Sequence, residues 1–84
     1  MENQLVWLND ENTHQGTVKW WSRMKGYGFI VPDEGGVDVF AHYSALDGEG
    51  YRNLYEGERV TYRLVDRGKG PQAQDVRVIE GVGR

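Results

Sequence analysis

The sequence predicts an all-β protein in which five short antiparallel strands close into a small barrel. Twelve glycines interrupt the 84-residue chain, and no stretch has the spacing of an amphipathic helix. Short runs of alternating apolar and polar residues lie between the glycine-containing turns, a pattern typical of small sandwiches and barrels. Five strands are too few for two full sheets and would leave their edges exposed. Closure into a barrel of the OB type removes both difficulties.

Each predicted strand ends at a recognisable turn. The first run lies near Gly16–Ser22 and ends at RMKG, and the second covers about Tyr27–Val31 and ends at Pro32 and DEGG. The third lies near Val37–Ala41. A short helical turn and a long loop, HYSALDGEGYRNLYEGE, lead to the fourth strand, RVTYRLV. The turn DRGKG then precedes the fifth strand, PQAQDVRVI.

Alternation divides the strands into an inward and an outward set. The predicted inward residues, mostly β-branched or aromatic as suits a barrel interior, are Val18, Ile30, Val37, Val39, Val60, Tyr62, Leu64, Val76 and Val78. The outward residues of the first three strands are Lys19, Trp21, Tyr27, Phe29, Phe40 and His42. If the second strand lies between the first and third, these outward rings form one patch.

A patch of outward rings predicts a binding surface. Unpaired nucleobases are flat, and stacking them on aromatic side chains contributes roughly 1–3 kcal/mol per base without regard to base identity. Single-stranded RNA or DNA is therefore the predicted partner. The rival from another class is a protein-interaction module that grips a proline-rich or extended peptide.

The charge distribution indicates that stacking must supply much of the affinity. The net charge is −3, but Glu2, Asp10 and Glu11 carry three negatives in a leader without Lys or Arg. From Thr13 onward, ten basic residues balance ten acidic ones. The sequence has no cysteine, which excludes disulfides and cysteine metal sites and suits a reducing cytoplasm. It also shows neither a secretory signal nor the roughly 18 consecutive apolar residues of a membrane span.

Two motifs carry a family resemblance. KGYGFI, Lys25–Ile30, is similar to RNP1 of the bacterial cold shock proteins, and VFAHY, Val39–Tyr43, is similar to their RNP2. GTVKWW precedes the motifs and GPQA follows them, so the stretch Gly16–Ile79 resembles a single cold shock domain. The resemblance implies an OB-type barrel that binds single-stranded RNA and DNA across strands one to three. It also implies an RNA chaperone that holds transcripts open and sometimes prevents transcription termination.

The resemblance also implies which residues bind. The stacking residues would be Trp20, Tyr27, Phe29, Phe40, His42, Tyr43 and Tyr51, and the cations along the backbone would be Lys19, Lys25, Arg52 and Lys69. Strict alternation turns Trp21 outward, whereas the family stacks bases on Trp20. A bulge in the first strand would expose both, so Trp21 is also a candidate.

This sequence departs from the family pattern at several positions. Tyr27, Tyr43 and Tyr51 stand where phenylalanine is common, which keeps the ring and adds a hydroxyl. Trp21 also stands at a usual phenylalanine, Ala41 replaces a larger valine, and Asp75 replaces a common asparagine.

Residues 14–80 are the predicted domain, with an N-terminal extension at 1–13 and a tail at 81–84. The extension contains LVWL, and three interpretations stay open: a frayed tail, an apolar segment that docks on the barrel or pairs with another copy, and an acidic competitor of phosphates. A monomer is expected, and a dimer through the extension is the alternative.

The sequence does not predict an enzyme, a metal site or a cofactor. His42 could serve as a catalytic base only with a partner group and a pocket, and His14 is the one other imidazole in the chain. Possible metal ligands are not clustered. A nuclease is therefore a distant third hypothesis.

Overall fold

Each predicted turn separates two strands in the computed structural model, which describes residues 12–47 and 53–81. The elements are β1 (Thr13–Ser22), β2 (Tyr27–Pro32), β3 (Val39–His42), β4 (Arg59–Asp66) and β5 (Pro71–Glu80), with a 3-10 turn, Tyr43–Ala45, directly after β3. β1 begins at Thr13 rather than near Gly16, and β3 begins at Val39 rather than near Val37. Within the described ranges, no helix is long and apolar enough to cross a membrane.

The five strands form a closed barrel in the order β1-β2-β3-β5-β4. The pairs β1·β2, β2·β3, β4·β5 and β1·β4 are antiparallel. The remaining contact, between β3 and β5, is parallel and pairs Phe40 with Gln72. A ring of five strands cannot alternate direction all the way round, so one parallel contact is a geometric necessity. The predicted five-stranded closed barrel is confirmed.

The interior contains most of the predicted inward residues. Val18, Ile30, Val39, Val60, Tyr62 and Val76 are buried, and Leu64 and Val78 are partly buried and pack against them. The prediction for Val37 is wrong: its side chain is 71% exposed, because it precedes β3 and lies in the loop. Ala41, Leu54 and Ala73 are buried members of the core that the prediction missed.

Two glycines of KGYGFI permit close approaches that a side chain would prevent. A Cβ atom at Gly28 would lie 2.1 Å from the carbonyl oxygen of Trp20, so the glycine allows β1 and β2 to approach each other. Gly26 ends the β1–β2 turn with a φ of +75°, and a Cβ there would lie 2.6 Å from Cδ2 of Tyr43. These contacts give the motif glycines a structural role.

A polar network connects β1 and β4 with the β2–β3 loop. The two terminal nitrogens of Arg59 each donate to a carboxylate oxygen of Asp33 at 2.7 Å, and Nη1 also donates to Thr17 Oγ1 at 3.0 Å. The hydrogen bond from Arg59 lowers the pKa of Asp33. Exposed pairs of this kind stabilise a fold modestly, so the network mainly fixes the position of the loop.

Tyr62 has a buried hydroxyl without a hydrogen-bond partner among the described residues. His14, its cross-strand partner, stacks on its ring at 5.7 Å and contacts Glu34 Oε2 through Nδ1 at 2.9 Å. Burial, followed by the nearby charges of Glu34 and Asp33, raises the pKa of Tyr62 to about 12. The phenol of Tyr62 in the folded protein therefore stays neutral at pH values at which an exposed tyrosine would ionise.

Candidate nucleic-acid interface

An irregularity in β1 determines which tryptophan faces outward. Val18 pairs with Ile30, but the next partner along β2, Phe29, pairs with Trp20, so Lys19 is an extra residue in β1. Such a bulge reverses the alternation beyond it. Trp20 is consequently 37% exposed, whereas the half-buried Trp21 packs against the core. The outward assignment of Trp21 by strict alternation is wrong for this reason.

Five rings form a continuous surface across β1, β2 and β3, which we call the aromatic face: Trp20, Tyr27, Phe29, Phe40 and His42. Trp20 pairs with Phe29 and Phe29 with Phe40, so these three rings form one row across the strands. Tyr27 and His42 pair with each other and form a second row. The ring centroids lie 5.8 Å apart for Trp20–Phe29, 5.8 Å for Phe29–Phe40, 6.0 Å for Trp20–Tyr27 and 5.4 Å for Tyr27–Phe40. The rings therefore support one another on a single side of the barrel.

Tyr43 extends the aromatic face past the end of β3. Its ring centroid lies 4.5 Å from that of His42, and 53% of the residue is exposed. Its backbone N–H donates to the carbonyl oxygen of Gly26 at 2.8 Å, and its ring lies over the same glycine. The absence of a side chain at Gly26 thus gives Tyr43 its place beside His42.

The segment that follows the long loop is attached to β1 and its turn. Trp21 Nε1 donates to Asn53 Oδ1 at 3.0 Å, and the Arg23 guanidinium lies 5.7 Å from the ring centroid of Tyr55. Tyr51 and Arg52, the predicted loop residues of the site, lie outside the described residues. Trp21 contributes to the site through this attachment and through the core, and its own contact with a ligand remains a prediction.

Three of the four predicted cations, Lys19, Lys25 and Lys69, lie within the described residues. Lys19, in the bulge, donates from Nζ to Asp38 Oδ2 at 2.9 Å. Lys25 is exposed in the β1–β2 turn, and Lys69 is exposed in the β4–β5 turn. Sequence reasoning missed Asp38, although it precedes β3 directly and its charge opposes that of Lys19. The ion pair leaves less positive charge beside the rings than the sequence suggests.

The outer surface of β4 and β5 is charge-balanced. Arg77 pairs with Asp47 at 2.8 Å, and Arg63 lies 3.8 Å from Asp75. Arg59 is paired with Asp33, as described above. These arginines have carboxylate neighbours, so the surface opposite the aromatic face is poorly suited to binding phosphates.

The fold and the site together define a class: a small OB-type barrel with an aromatic ligand-binding face on three adjacent strands. The model of the family described as the 'Cold-shock' DNA-binding domain matches residues 14–79. The cold shock protein ScoF of Streptomyces coelicolor is 54% identical over 61 residues, which cover 73% of this chain and 91% of that protein. A cold shock-like protein of Thermotoga maritima is 52% identical over 66 residues, which cover 79% and 98%.

A solved structure supports the fold independently of close sequence similarity. The Drosophila Unr structure CSD456 superposes with a TM-score of 0.74 at 16% identity, covering 98% of this chain and 33% of that one. The chain belongs to the cold shock domain family, as the sequence motifs predicted. Proteins of this family bind nucleic acids and are not enzymes.

Proposed function

We propose that this protein binds single-stranded RNA and DNA with low sequence specificity and acts as an RNA chaperone. The observation that carries the proposal is the row Trp20–Phe29–Phe40, in which three rings on adjacent strands face the same side. Each base has a flat face, and stacking discriminates little among bases. Bases paired in a duplex are already stacked on their neighbours, so the aromatic face selects unpaired strands.

Stacking supplies more of the affinity than charge does. Lys19 is paired with Asp38 at 2.9 Å, and the residues from Thr13 onward carry equal numbers of basic and acidic groups. The other proposed cationic contacts are Lys25, Lys69 and Arg52, and Tyr51 is a further proposed stacking contact; Tyr51 and Arg52 lie outside the described residues. Four cations neutralise only a few phosphates, and the rings account for the rest.

The chaperone activity follows from mass action. A protein that binds only the unpaired strand stabilises the open form by RT ln(1 + [protein]/Kd) for each site. Weak hairpins are thereby held open without ATP, and a terminator hairpin opened in this way would allow transcription to continue. We propose this regulatory role for a monomer in the cytoplasm, with residues 14–80 as the binding domain and the N-terminal extension as the alternative route to a dimer.

The test is a titration of tryptophan fluorescence with oligo-dT and oligo-U, with a duplex of the same length as the control. A Trp7→Phe/Trp21→Phe double variant keeps exposed Trp20 as the one tryptophan reporter. Quenching by both single strands and not by the duplex is expected. No response to any oligonucleotide, or binding of a proline-rich peptide that oligonucleotides cannot displace, would overturn the proposal in favour of a peptide-binding module.

A further inference from the structure

The imidazole of His42 is held by the residue two positions further along the chain. The backbone N–H of Ser44 donates to His42 Nδ1 at 3.2 Å, and Ser44 Oγ lies 2.8 Å from the same nitrogen. His42 is the N-cap of the 3-10 turn Tyr43–Ala45, with an extended backbone at φ −105° and ψ 152°. The ring therefore caps this turn while it belongs to the aromatic face.

The cap determines where the neutral ring carries its proton. A backbone N–H can only donate, so the nitrogen that faces it must accept and carries no hydrogen. In the opposite tautomer, Nδ1–H would donate to Ser44 Oγ and would point at the Ser44 N–H across 3.2 Å, which is repulsive. Both donors of Ser44 instead converge on Nδ1, and the proton of the imidazole lies on Nε2.

The Nε2 edge of the ring lies away from this cap. The two ring nitrogens flank Cε1, so an imidazole that directs Nδ1 into the turn presents Nε2 on its other side. Within the described part of the chain, the hydrogen bonds recorded for His42 are made through Nδ1. His42 is half-buried beside Tyr43 and faces Tyr27 across the strands. His42 thus adds a directional donor to the aromatic face, beside the hydroxyls of Tyr27 and Tyr43.

We propose that Ser44 is a positioning residue that fixes His42 as an Nε2–H donor, and that this donor makes one hydrogen bond to the bound strand. The inference rests on the proposed function for its ligand. The acceptor is an oxygen or nitrogen of a base edge, or a phosphate oxygen, since both present lone pairs to an N–H group. The bond would give the stacked strand a preferred orientation, which stacking alone does not provide.

The first experiment needs no nucleic acid. Long-range ¹H–¹⁵N spectra of the imidazole in the free protein at neutral pH are expected to show protonated Nε2 and unprotonated Nδ1 at His42. Ser44→Ala keeps the backbone N–H that donates to Nδ1, so the proton should stay on Nε2 while the ring becomes more mobile, and Ser44→Thr should restore the wild-type mobility. A wild-type protein with the proton on Nδ1 would overturn the inference, whatever the protein binds.

The second experiment separates the cap from the donor with two substitutions. In His42→Asn the amide oxygen takes the place of Nδ1 and keeps the cap, but the donor is lost. In His42→Gln the amide nitrogen reaches the place of Nε2, but the cap is lost. Both substitutions remove the ring and its stacking, so the donor is measured by the difference between them. We expect His42→Asn to weaken binding of a short oligo-dT about three- to tenfold more than His42→Gln does, the range of one net hydrogen bond. Equal losses would show that the ring only stacks.

Modified oligonucleotides identify the acceptor. One methylphosphonate linkage, or one abasic nucleotide, is moved along the oligo-dT in turn, and each oligonucleotide is compared on His42→Gln and His42→Asn, which both lack the ring. If a methylphosphonate removes the difference between the two proteins, the acceptor is a phosphate; if an abasic position removes it, the acceptor is a base. A difference that persists in every oligonucleotide overturns the hydrogen bond. Wild-type protein that shows the expected tautomer but binds no oligonucleotide overturns the bond and the proposed function while leaving the role of Ser44 in the cap.

Discussion

Phe29 and Phe40 are direct partners across β2 and β3, and their rings meet nearly edge to face, with centroids 5.8 Å apart and planes at 68°. Aromatic pairs prefer this arrangement because the positive edge of one ring meets the negative face of the other. Each ring therefore fixes the orientation of its partner. The aromatic face is pre-organised by contacts among its own members.

Phe29→Ala and Phe40→Ala should each weaken binding of a single strand by roughly 1–3 kcal/mol, the contribution of one stacked base. The double variant should lose less than the sum, because either single substitution already disturbs the partner ring. Affinity is measured by fluorescence titration and stability by urea unfolding. Ile79→Ala, an exposed apolar position of β5, is the control and should bind like wild type. If either phenylalanine variant unfolds, the ring belongs to the core.

The salt dependence of binding should be shallow. Each phosphate neutralised on a single strand contributes roughly −0.7 to the log–log slope, so four cations limit the slope to about −3. Titrations across a series of salt concentrations measure it directly. A much steeper slope would contradict binding dominated by stacking.

Asp38→Asn should tighten binding of a single strand and make the log–log slope of affinity against salt more negative by up to about 0.7. The reason is that Lys19 would lose its carboxylate partner and become available to a phosphate. The same titrations provide the readout. Asp75→Asn is matched in charge and removes a carboxylate near Arg63 on the β4–β5 surface, so its effect should be smaller. Equal effects of the two variants would show that only net charge matters.

Tyr62 should make the fold sensitive to alkali. Its pKa is raised to about 12 from an ordinary 10.0, so the folded state holds a proton that the unfolded state releases first. The contribution of this group to the free energy of unfolding is fully present below pH 10 and is lost as the pH rises toward 12. Tyr62→Phe should remove this part of the pH dependence in urea unfolding. At pH 7 it should be neutral or stabilising by up to about 1 kcal/mol, because it removes a buried hydroxyl without a recorded partner.

Gly28→Ala should destabilise the fold by about 1–3 kcal/mol or more, because the new methyl group would overlap the backbone of β1. The comparison is Gly36→Ala in the β2–β3 loop. There a Cβ meets nothing within 4 Å, and the cost is that of a φ of +98°, about 1–2 kcal/mol. Urea unfolding measures both variants. A smaller loss at Gly28 than at Gly36 would contradict the close approach of the two strands.

The sequence predicted the strands well because their turns are marked by glycine and proline and because alternation is local. The rings of β2 and β3 were also placed correctly, since both strands are regular. Trp20 and Trp21 were not resolved by alternation, because one inserted residue at Lys19 reverses every side chain that follows it. No residue type at that position marks the bulge.

Other features depend on contacts between distant parts of the chain. Val37 has the residue type of a strand interior, but the Gly35–Gly36 turn keeps it in the loop, and β3 begins later. Leu54 lies outside the predicted strands, so alternation could not place it in the core. The ion pair of Lys19 with Asp38 joins β1 to the β2–β3 loop, two segments that only the folded barrel brings together.

The single parallel contact of the barrel has a consequence for its breathing motions. β3 itself forms one register pair with β5, Phe40 with Gln72, and after the 3-10 turn the chain adds one isolated parallel bridge to β5, Leu46 with Val76. Parallel pairing is slightly less stable than antiparallel pairing. We therefore expect transient opening of the ring to begin there, at the margin of the aromatic face. A nucleic-acid strand stacked on Phe40 would stabilise this contact between β3 and β5. Amide hydrogen exchange should then slow more in β3 and β5 than elsewhere on binding. The bound nucleic acid would in this way stabilise the contact that closes its own binding domain.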